Sequence, residues 1–195
     1  MNNEKISDLN GYMLELGRRA AKASKSLAIA SRDRKDKALR VAAELLRRQS
    51  AAILEANAKD IALAEQQNLP AARLDRILLD AGRLESVAKA LEAIADLPDP
   101  VGDVIKHWTV DHNELDISRI RVPLGVIGVI YESRPNVTAD AAALCLKSGN
   151  AVILRGSSEI MNSAAAIATC FETALLEAGL DPFCVQLIAT ADRAA

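Results

Sequence analysis

Two short polar loops contain the side chains of this sequence that are best suited to chemistry. The first spans residues 131–136 and combines a guanidinium group with small polar side chains. The second spans residues 155–159 and combines a guanidinium group, a glycine and two hydroxyls. Each loop follows an apolar run and opens a helical pattern; helix starts favour anions, and guanidinium groups bind carboxylates and phosphates. The loops therefore predict contacts with a phosphate, a ribose or another anionic ligand.

A purely structural role for the same loops remains an alternative. Every strand-to-helix connection is polar, and Ser157 or Ser158 can act only as a helix cap. The GxGxxG fingerprint of many dinucleotide-binding proteins is absent. The loops by themselves thus leave the choice between ligand contact and helix capping open.

The three cysteines are predicted to be inert. Cys145 and Cys170 lie within apolar helical patterns and Cys184 begins a predicted strand, so none lies where a helix start would lower its pKa. Their odd number and wide spacing argue against a disulfide framework or a CxxC metal site. His107 and His112 have no further cluster of ligands nearby in the sequence, so no metal site is predicted.

The overall composition excludes several classes of partner. The chain has 24 Lys and Arg against 26 Asp and Glu, so it lacks the excess positive charge of a nucleic-acid-binding protein. The basic run from Arg32 to Lys37 is interleaved with Asp33 and Asp36, which predicts a solvated helix start. No apolar window is long enough to span a membrane, and the first residues lack the apolar stretch of a signal peptide. We expect no nucleic acid, no membrane contact and a reduced, cytoplasmic location.

The elements that must position the loops begin with four predicted helices in the first half of the chain. Apolar residues recur every three or four positions, so they line one face of each helix. Ser31 is predicted to cap a second, long helix that ends at residues 68–70, and Pro70 to open a short helix to about Leu79. Asp80 is predicted to cap the fourth helix. The inward face of the first helix is predicted to consist of Ile6, Leu9, Met13, Leu16, Ala20, Ala23 and Leu27.

Residues 101–123 predict a β-hairpin. Two stretches of alternating or β-branched residues, 104–110 and 115–122, are separated by the polar turn 111–114. Both faces of this hairpin are half polar, so we expect it to project from the body of the protein and to need a partner surface. Trp108 is its predicted packing anchor.

The predicted fold class is α/β. From Gly125 the pattern is strand, helix, strand, helix, strand, which is half of a Rossmann-like doubly wound parallel sheet with both helices on one face. We expect this half-sheet to leave one edge unpaired and one face uncovered. The three predicted strands are residues 126–131, 151–154 and 185–188, and Gly149 is predicted to end the helix between the first two. The predicted organisation is a helical segment 1–100, the hairpin 101–123 and a nucleotide-binding half-domain 124–195.

Five blocks of sequence carry a family resemblance. They are residues 56–60, 97–102, 121–132, 134–138 and 144–156. These blocks resemble the gamma-glutamyl phosphate reductases (glutamate-5-semialdehyde dehydrogenases) of the aldehyde dehydrogenase superfamily. The similarity runs over nearly the whole chain without large gaps, which makes it far more specific than a short motif.

The resemblance implies both an architecture and a reaction. Members have a Rossmann-type cofactor domain, a catalytic domain with a nucleophilic cysteine and a protruding hairpin used in oligomerisation, so we expect a homo-oligomer. The implied reaction is the NADPH-dependent reduction of L-glutamyl 5-phosphate to L-glutamate 5-semialdehyde with release of phosphate, the second step of proline biosynthesis from glutamate. The family's cysteine lies in a glycine-rich stretch that matches no part of this chain. We therefore expect the nucleophile beyond residue 195 and no activity from the chain alone.

The resemblance also gives expected roles to the two loops. The expected oxyanion or substrate contacts near the reacting carbonyl are Ser133, Arg134 and Asn136. The residues expected to bind NADPH or NADP are Glu132, Pro135, Arg155, Gly156, Ser157 and Ser158. Family members commonly have Gly-Lys in place of Ser157-Ser158, so a lysine that would suit a 2′-phosphate is missing. The carboxylate that NAD-preferring relatives use on the ribose is missing from position 158 as well.

Two other functions are weighed against the reductase. One is a non-catalytic nucleotide-binding or oligomerising module of aldehyde dehydrogenase type, which the lack of a suitable nucleophile favours. The other is the reductase half of a bifunctional pyrroline-5-carboxylate synthase, against which the start at Met1 without a preceding kinase domain argues. A reading frame that continues to a glycine-rich cysteine motif distinguishes the enzyme from the module.

Overall fold

The computed structural model describes residues 8–110, 115–192 and 194. The helices in these ranges are α1 (Leu9–Ala28), α2 (Arg32–Arg48), α3 (Ser50–Gln66), α4 (Ala71–Ile77), α5 (Ala81–Asp96), α6 (Asn136–Lys147) and α7 (Met161–Glu177). The strands are β1 (Val104–Val110), β2 (Leu115–Ile120), β3 (Val126–Ile130), β4 (Ala151–Arg155) and β5 (Val185–Leu187). Short 3-10 helices precede α7 and β5, at Ser158–Ile160 and Pro182–Cys184. No helix in the described part of the chain has both the length and the apolar character that crossing a membrane requires.

Side chains cap the starts of two amino-terminal helices as predicted. Ser31 accepts a hydrogen bond from the N–H of Arg34 at the start of α2. Asp80 accepts one from the N–H of Arg83 at the start of α5. The carboxyl-terminal half of the predicted apolar face of α1 is buried, whereas Ile6 lies outside the described residues.

The single long helix predicted after Ser31 is wrong. Two helices, α2 and α3, are separated at Gln49, whose backbone leaves helical geometry at φ −98° and ψ 14°. Helix α2 packs mainly against α5 and α7, while α3 packs against α7 and α4. The break lets each helix follow its own neighbours, and no proline or glycine at this point of the sequence signals it.

The three central strands form a parallel sheet in the order β3-β4-β5. Helices α6 and α7 pack together on one face, in agreement with the right-handed crossover rule. The prediction that the other face of the sheet is uncovered is wrong. Helix α1 packs against β4 on that face, and the carbonyl of Leu16 accepts a hydrogen bond from Gln186. Val126 and Ile130 of β3 are nevertheless exposed. Within the described ranges, the outer edges of β3 and β5 pair with no further strand.

Small aliphatic side chains fill the core between the helical layers and the sheet. Alanines on α2, α5, α6 and α7 are fully buried, for example Ala42, Ala88, Ala142 and Ala174. Their short side chains allow the helices to approach closely, and Phe171 provides a rare buried aromatic ring. This Ala-rich packing agrees with the composition of the sequence, in which only 3% of the residues are aromatic.

Gly149 ends α6 and brings the base of the hairpin against the sheet. Its φ of +75° is a left-handed conformation that glycine adopts without strain. A Cβ atom at this position would lie 2.8 Å from Cγ of Pro123 and 3.1 Å from Cγ2 of Val101. The predicted helix end is confirmed, and the close approach explains why glycine is needed there.

The basic run at the start of α2 is exposed as predicted at Arg32, Arg34 and Lys37, whereas Lys35 is buried. Lys35 is 1% exposed, and its Nζ lies 2.6 Å from Oδ2 of Asp99. Nζ of Lys147, at the end of α6, lies 2.5 Å from Oδ1 of Asp36 and donates to the carbonyl of Ala95. Because buried charges require partners, these pairs connect α2 to α6 and to the segment that follows α5.

The predicted hairpin is confirmed. Strands β1 and β2 pair antiparallel, and almost all of their residues are exposed. Trp108 is 39% exposed, and Nζ of Lys106 lies 5.3 Å from the centroid of its ring. The predicted turn 111–114, which includes His112, lies outside the described residues.

Candidate functional site

The two polar loops lie side by side at the carboxyl end of the parallel sheet. Strands β3 and β4 are neighbours with Ile130 opposite Arg155, and the N–H of Tyr131 donates to the carbonyl of Arg155 at 3.0 Å. Ligands of open α/β sheets bind beyond this edge. The fold thus brings the main chains of both loops to the edge where a ligand is expected.

The ring of Tyr131 connects the two loops. A Cβ atom at Gly156 would lie 3.2 Å from Cζ and Oη of Tyr131 and 3.1 Å from Cδ1 of Ile160, so glycine permits this close contact. Oη of Tyr131 lies 2.7 Å from Oγ1 of Thr138 on α6. Burial raises the pKa of Tyr131, and the hydrogen bond to Thr138 opposes that shift. The phenol therefore stays neutral at physiological pH and acts as a structural link.

The first loop contributes a guanidinium group and an amide to a cavity of about 410 Å³. This cavity lies between α4, α5 and the start of α6, and its volume is in the range of small-molecule sites. Arg134 is exposed and makes no ion pair with any described residue. Nδ2 of Asn136 donates to Oδ2 of Asp140 at 3.0 Å, and the buried Pro135 precedes α6. The charged and amide residues that line the cavity are Asp75, Arg76, Arg83, Arg134, Asn136 and Asp140.

Two of the predicted residues in the first loop lie outside this cavity. Ser133 is 4% exposed and is not part of its lining. The side chain of Glu132 is 89% exposed, and its Oε2 lies 4.0 Å from Nη1 of Arg76, a weak surface contact. The structure therefore brings Arg134 and Asn136 together and leaves Ser133 and Glu132 apart from them.

Asp140 is a half-buried carboxylate without a cation. Among the described residues its one hydrogen-bond partner is Asn136, and no Lys, Arg or His nitrogen lies within 4.0 Å of it. Burial raises the pKa of Asp140, and the hydrogen bond from Asn136 opposes that shift. Arg83 is not available to Asp140, because it binds the carboxylate and carbonyl of Asp75 and a further carbonyl. Asp140 was not identified from the sequence.

Contacts on both sides hold the second loop. Nη2 of Arg155 donates to the carbonyl of Asp192 at 2.6 Å, and Glu159 pairs with Arg73 at 3.0 Å. Oγ of Ser157 and Oε2 of Glu159 are buried without a hydrogen-bond partner among the described residues. Buried polar atoms are nearly always paired, so these two atoms are exceptions within the described ranges.

A second cavity, of about 500 Å³, opens beside the second loop. It lies between α1, α7 and β5, and of the predicted site residues it contains Ser158. Its lining combines apolar groups with polar side chains that include Tyr12, Arg19, Asn162 and Gln186. Ser158 thus lies in a different cavity from the amide and guanidinium groups of the first loop.

Asp60 of α3 caps α7 and was not identified from the sequence. Asp60 is 1% exposed. Its Oδ1 accepts hydrogen bonds from the main-chain nitrogen of Asn162 at 3.1 Å and from the side-chain nitrogen of Asn162 at 2.8 Å. Its Oδ2 accepts hydrogen bonds from the main-chain N–H of Ser163 at 2.8 Å and from Oγ of Ser163 at 2.5 Å. A carboxylate at a helix start complements the helix dipole. Because the N–H groups of Asn162 and Ser163 at the start of α7 already donate to Asp60, they are not available to a ligand phosphate. Ser157 makes no capping bond through its side chain.

Asn57, which lies one helical turn before Asp60 on α3, adds further buried hydrogen bonds. Its Nδ2 donates to the carbonyl of Ile77 at 2.8 Å and to Oγ of Ser163 at 3.0 Å, and its Oδ1 accepts from the N–H of Leu79 at 2.8 Å. The available signal was the spacing of Asn57 and Asp60, three residues apart on one helix face. Their partners on α7 lie about 100 positions away and could not be read from that spacing.

The three cysteines are buried free thiols, in agreement with the sequence-based argument. Burial raises the pKa of Cys170 to about 11 and that of Cys184 to about 12, and it also raises the pKa of Cys145. A buried thiol with a raised pKa stays protonated at neutral pH, which disfavours nucleophilic attack. In the described ranges, no three His, Cys, Asp or Glu side chains come together in a group that could hold a metal ion.

The amino-acid sequence matches the aldehyde dehydrogenase family over residues 14–194. It is 54% identical over 189 residues to a gamma-glutamyl phosphate reductase of Paramagnetospirillum magneticum, which covers 97% of this chain and 44% of that protein. A gamma-glutamyl phosphate reductase of Brucella anthropi is 50% identical over 192 residues, with 98% and 45% covered. The chain therefore spans less than half the length of these curated relatives.

Two solved structures are similar to the chain over nearly its full extent. The crystal structure of gamma-glutamyl phosphate reductase from Thermotoga maritima superimposes with a TM-score of 0.91 at 40% identity and covers 93% of this chain and 44% of that one. The corresponding protein from Saccharomyces cerevisiae gives a TM-score of 0.85 at 32% identity, with 91% and 46% covered. The described elements thus follow the aldehyde dehydrogenase type of fold, as the resemblance implied.

Proposed function

The chain belongs to the aldehyde dehydrogenase family, and we propose that it forms the amino-terminal portion of an enzyme that reduces L-glutamyl 5-phosphate to L-glutamate 5-semialdehyde with NADPH and releases phosphate. The observation that carries the proposal is the 54% identity to a gamma-glutamyl phosphate reductase over 97% of the chain. This reaction is the second step of proline biosynthesis from glutamate.

Arg134 and Asn136 support the substrate end of the proposal. Arg134 presents a guanidinium group without an ionic partner in the described ranges, and such a group binds the carboxylate or phosphate of an acidic substrate. Asn136 keeps one amide hydrogen after its bond to Asp140 and can donate it to the oxygen of the reacting carbonyl. A donor of this kind lowers the barrier by about 3 kcal/mol. Ser133 is buried outside the cavity, so we favour Asn136 as the oxyanion donor.

We propose that residues 155–158 contact the adenosine side of the cofactor. The buried, unpaired Oγ of Ser157 and Oε2 of Glu159 fit a ribose, whose hydroxyls both donate and accept hydrogen bonds. Ser158 lines the adjacent cavity of about 500 Å³. Because Asp60 fills the start of α7, we expect the cofactor phosphates to bind elsewhere. The bound cofactor supplies the hydride.

The preference for NADPH over NADH is a further part of the proposal. A ribose 2′-phosphate requires nearby positive charge, and Arg73 balances the carboxylate of Glu159 at 3.0 Å. Arg155 adds a second guanidinium group to the same loop, where one of its nitrogens is held by a main-chain carbonyl. We propose that Glu132 and Pro135 face the nicotinamide side of the cofactor.

The nucleophilic thiolate is proposed to come from another part of the complete enzyme. In the implied chemistry a thiolate attacks the acyl phosphate, phosphate leaves, and hydride reduces the resulting thioester to the aldehyde with return of the thiolate. Cys145, Cys170 and Cys184 are buried with raised pKa values, so they are unsuited to this step. We therefore expect the present chain to be inactive by itself.

We further propose that the hairpin contributes to a homo-oligomer. Its exposed apolar side chains are a typical feature of contact surfaces; they are Val104, Ile105, Trp108, Leu115, Ile117 and Ile120. The boundaries 1–100, 101–123 and 124–195 of the three segments, and the cytoplasmic location, stay predictions.

Turnover by the full-length protein tests the proposed reaction. We expect it to oxidise NADPH in the presence of L-glutamyl 5-phosphate, or to reduce NADP⁺ with L-glutamate 5-semialdehyde and phosphate. No turnover in either direction would contradict the enzyme and favour a non-catalytic module. Turnover by the 195-residue chain that Cys145→Ser abolishes would contradict the external nucleophile.

A further inference from the structure

Asp140 and Arg134 present opposite charges to one cavity at the start of α6. Both line the space of about 410 Å³ between α4, α5 and α6. In the described ranges, neither has an oppositely charged group within 4.0 Å, and the one hydrogen bond of Asp140 leaves its Oδ1 free. A half-buried carboxylate without a cation is unfavourable, so a ligand that brings its own cation would stabilise it.

The other charges of the cavity are already committed. Asp75 binds Arg83, whose remaining N–H groups reach two main-chain carbonyls. Arg76 lies 4.0 Å from Glu132 at the rim. Asp140 is therefore the carboxylate of this lining that a ligand can reach without breaking an existing ion pair.

We propose that this cavity binds the amino-acid end of the substrate, with Asp140 accepting the α-ammonium group and Arg134 donating to the α-carboxylate. The proposal rests on the proposed function, which takes a derivative of an acidic amino acid as substrate. One free carboxylate beside one free guanidinium group is complementary to a zwitterion, whereas a dicarboxylate without an ammonium group leaves Asp140 unpaired. Asp140 thereby determines specificity for an amino acid.

Asn136 joins this subsite to the reacting carbonyl. Its amide uses one hydrogen on Oδ2 of Asp140 at 3.0 Å and keeps the other. This bond uses neither the second amide hydrogen of Asn136 nor Oδ1 of Asp140, so both remain available to a ligand. A substrate with a short aliphatic chain between its ammonium group and its reacting carbonyl can contact both.

A comparison of two aldehydes in the complete enzyme tests the assignment. The first is L-glutamate 5-semialdehyde, and the second is 5-oxopentanoate, which carries hydrogen in place of the α-ammonium group; both are oxidised with NADP⁺ and phosphate. Asp140→Asn removes the charge but keeps an oxygen that can accept from Asn136. We expect it to lower kcat/KM at least tenfold for the semialdehyde and less than threefold for 5-oxopentanoate. Arg134→Ala should lower both values, because both aldehydes have the carboxylate.

Asp96→Asn is the matched control, since Asp96 is an exposed carboxylate at the end of α5 that pairs with Arg40. It should leave both kcat/KM values unchanged. Equal losses for the two aldehydes in Asp140→Asn would mean that Asp140 acts through Asn136 or through the fold, and would overturn the assignment, as would no loss at all. If the wild-type enzyme oxidises neither aldehyde, the proposed function fails and the assignment falls with it. Wild-type turnover therefore distinguishes the two failures.

Discussion

Oδ2 of Asp60 accepts the main-chain N–H of Ser163 at 2.8 Å, although the two residues are 103 positions apart. Through this contact α3 holds the start of α7, and α7 follows directly on the second polar loop. The loop is therefore supported from the amino-terminal helices and not only from the sheet on which it lies. A charged group that is fully buried and fully hydrogen-bonded makes this support specific.

Replacement of Asp60 should destabilise the chain strongly. Asp60→Asn puts an amide N–H₂ group against donors on Asn162 and Ser163, so at least one buried group loses its partner. We expect the free energy of unfolding to fall by about 3 kcal/mol in urea denaturation. Glu65→Gln, at an exposed acid on the same helix, should change it by less than about 0.5 kcal/mol. Equal midpoints for the two variants would contradict the capping role.

The buried pair of Lys35 and Asp99 predicts a non-additive pair of substitutions. Lys35→Met leaves the carboxylate of Asp99, which is 16% exposed, without its cation and should lower the free energy of unfolding by about 3 kcal/mol. The double variant Lys35→Met with Asp99→Asn should lose less, because no unpaired charge remains. Losses that simply add in urea denaturation would show that the two side chains do not act as a pair.

The contact between Gly156 and Tyr131 predicts opposite effects of one substitution at two glycines. Gly156→Ala places a Cβ 3.2 Å from the ring of Tyr131, so we expect a lower midpoint of thermal unfolding and a loss of about 1 kcal/mol. Gly17→Ala adds a Cβ in the interior of α1 with no atom within 4 Å, and should instead stabilise by about 0.5–1 kcal/mol. Stabilisation by both changes would mean that the ring of Tyr131 moves aside at no cost in free energy.

The buried thiols predict a loss of stability at alkaline pH. Burial raises the pKa of Cys170 to about 11 and of Cys184 to about 12, whereas the thiol of an unfolded chain has a pKa of about 8.5. Between about pH 9 and 11 the folded chain therefore binds more protons than the unfolded chain, and the free energy of unfolding falls as pH rises, by about 1.4 kcal/mol per unit for each thiol. Urea denaturation at pH 8 and pH 10 measures the fall. The fall in the free energy of unfolding should be smaller in the Cys184→Ala variant. An unchanged pH dependence in that variant would exclude Cys184 as a source of the fall.

Arg134 should contribute to the reaction of the complete enzyme. Arg134→Ala is expected to lower kcat/KM for L-glutamyl 5-phosphate more than tenfold, about 1.4 kcal/mol, because the anionic substrate loses its guanidinium partner. Arg134→Lys should retain part of the activity, since lysine keeps the charge but not the bidentate geometry. Arg40→Ala, which removes a guanidinium paired with Asp96 on the surface, serves as the control. Equal kcat/KM values in Arg134→Ala and the wild type would remove Arg134 from the site.

Local signals predicted most elements of the fold. Ser31 and Asp80 cap helices as expected, Gly149 ends α6, and β1 and β2 form the expected hairpin. Each of these features depends on residues that are close together in the sequence, so propensity, capping and periodicity contain the necessary information. The break at Gln49 was missed because no local breaker marks it, and only the folded chain shows that α2 and α3 pack against different neighbours.

The candidate site was predictable only in part. Arg134 and Asn136 could be selected because they follow a predicted strand and open a helix. Asp140 could not, since an acidic residue in the first turns of a helix is ordinary and its isolation from cations becomes visible only in the folded chain. The sequence likewise could not predict that Ser158 lines a different cavity from Arg134 and Asn136. The strand order shows at which edge of the sheet the loops lie, but it does not show the shape of the surface there.

The sequence by itself determined the α/β class, the βαβαβ order and the two loops at the carboxyl end of the sheet, because these follow from periodicity and from local turn chemistry. The tertiary structure alone decided which charges far apart in the sequence are paired. Lys35 is buried against Asp99, Asp60 binds the start of α7, and Asp140 has no cationic partner among the described residues. The reason is physical: such a pair depends on distance in space and on shielding from water, and for residues that lie far apart along the chain their spacing contains neither quantity.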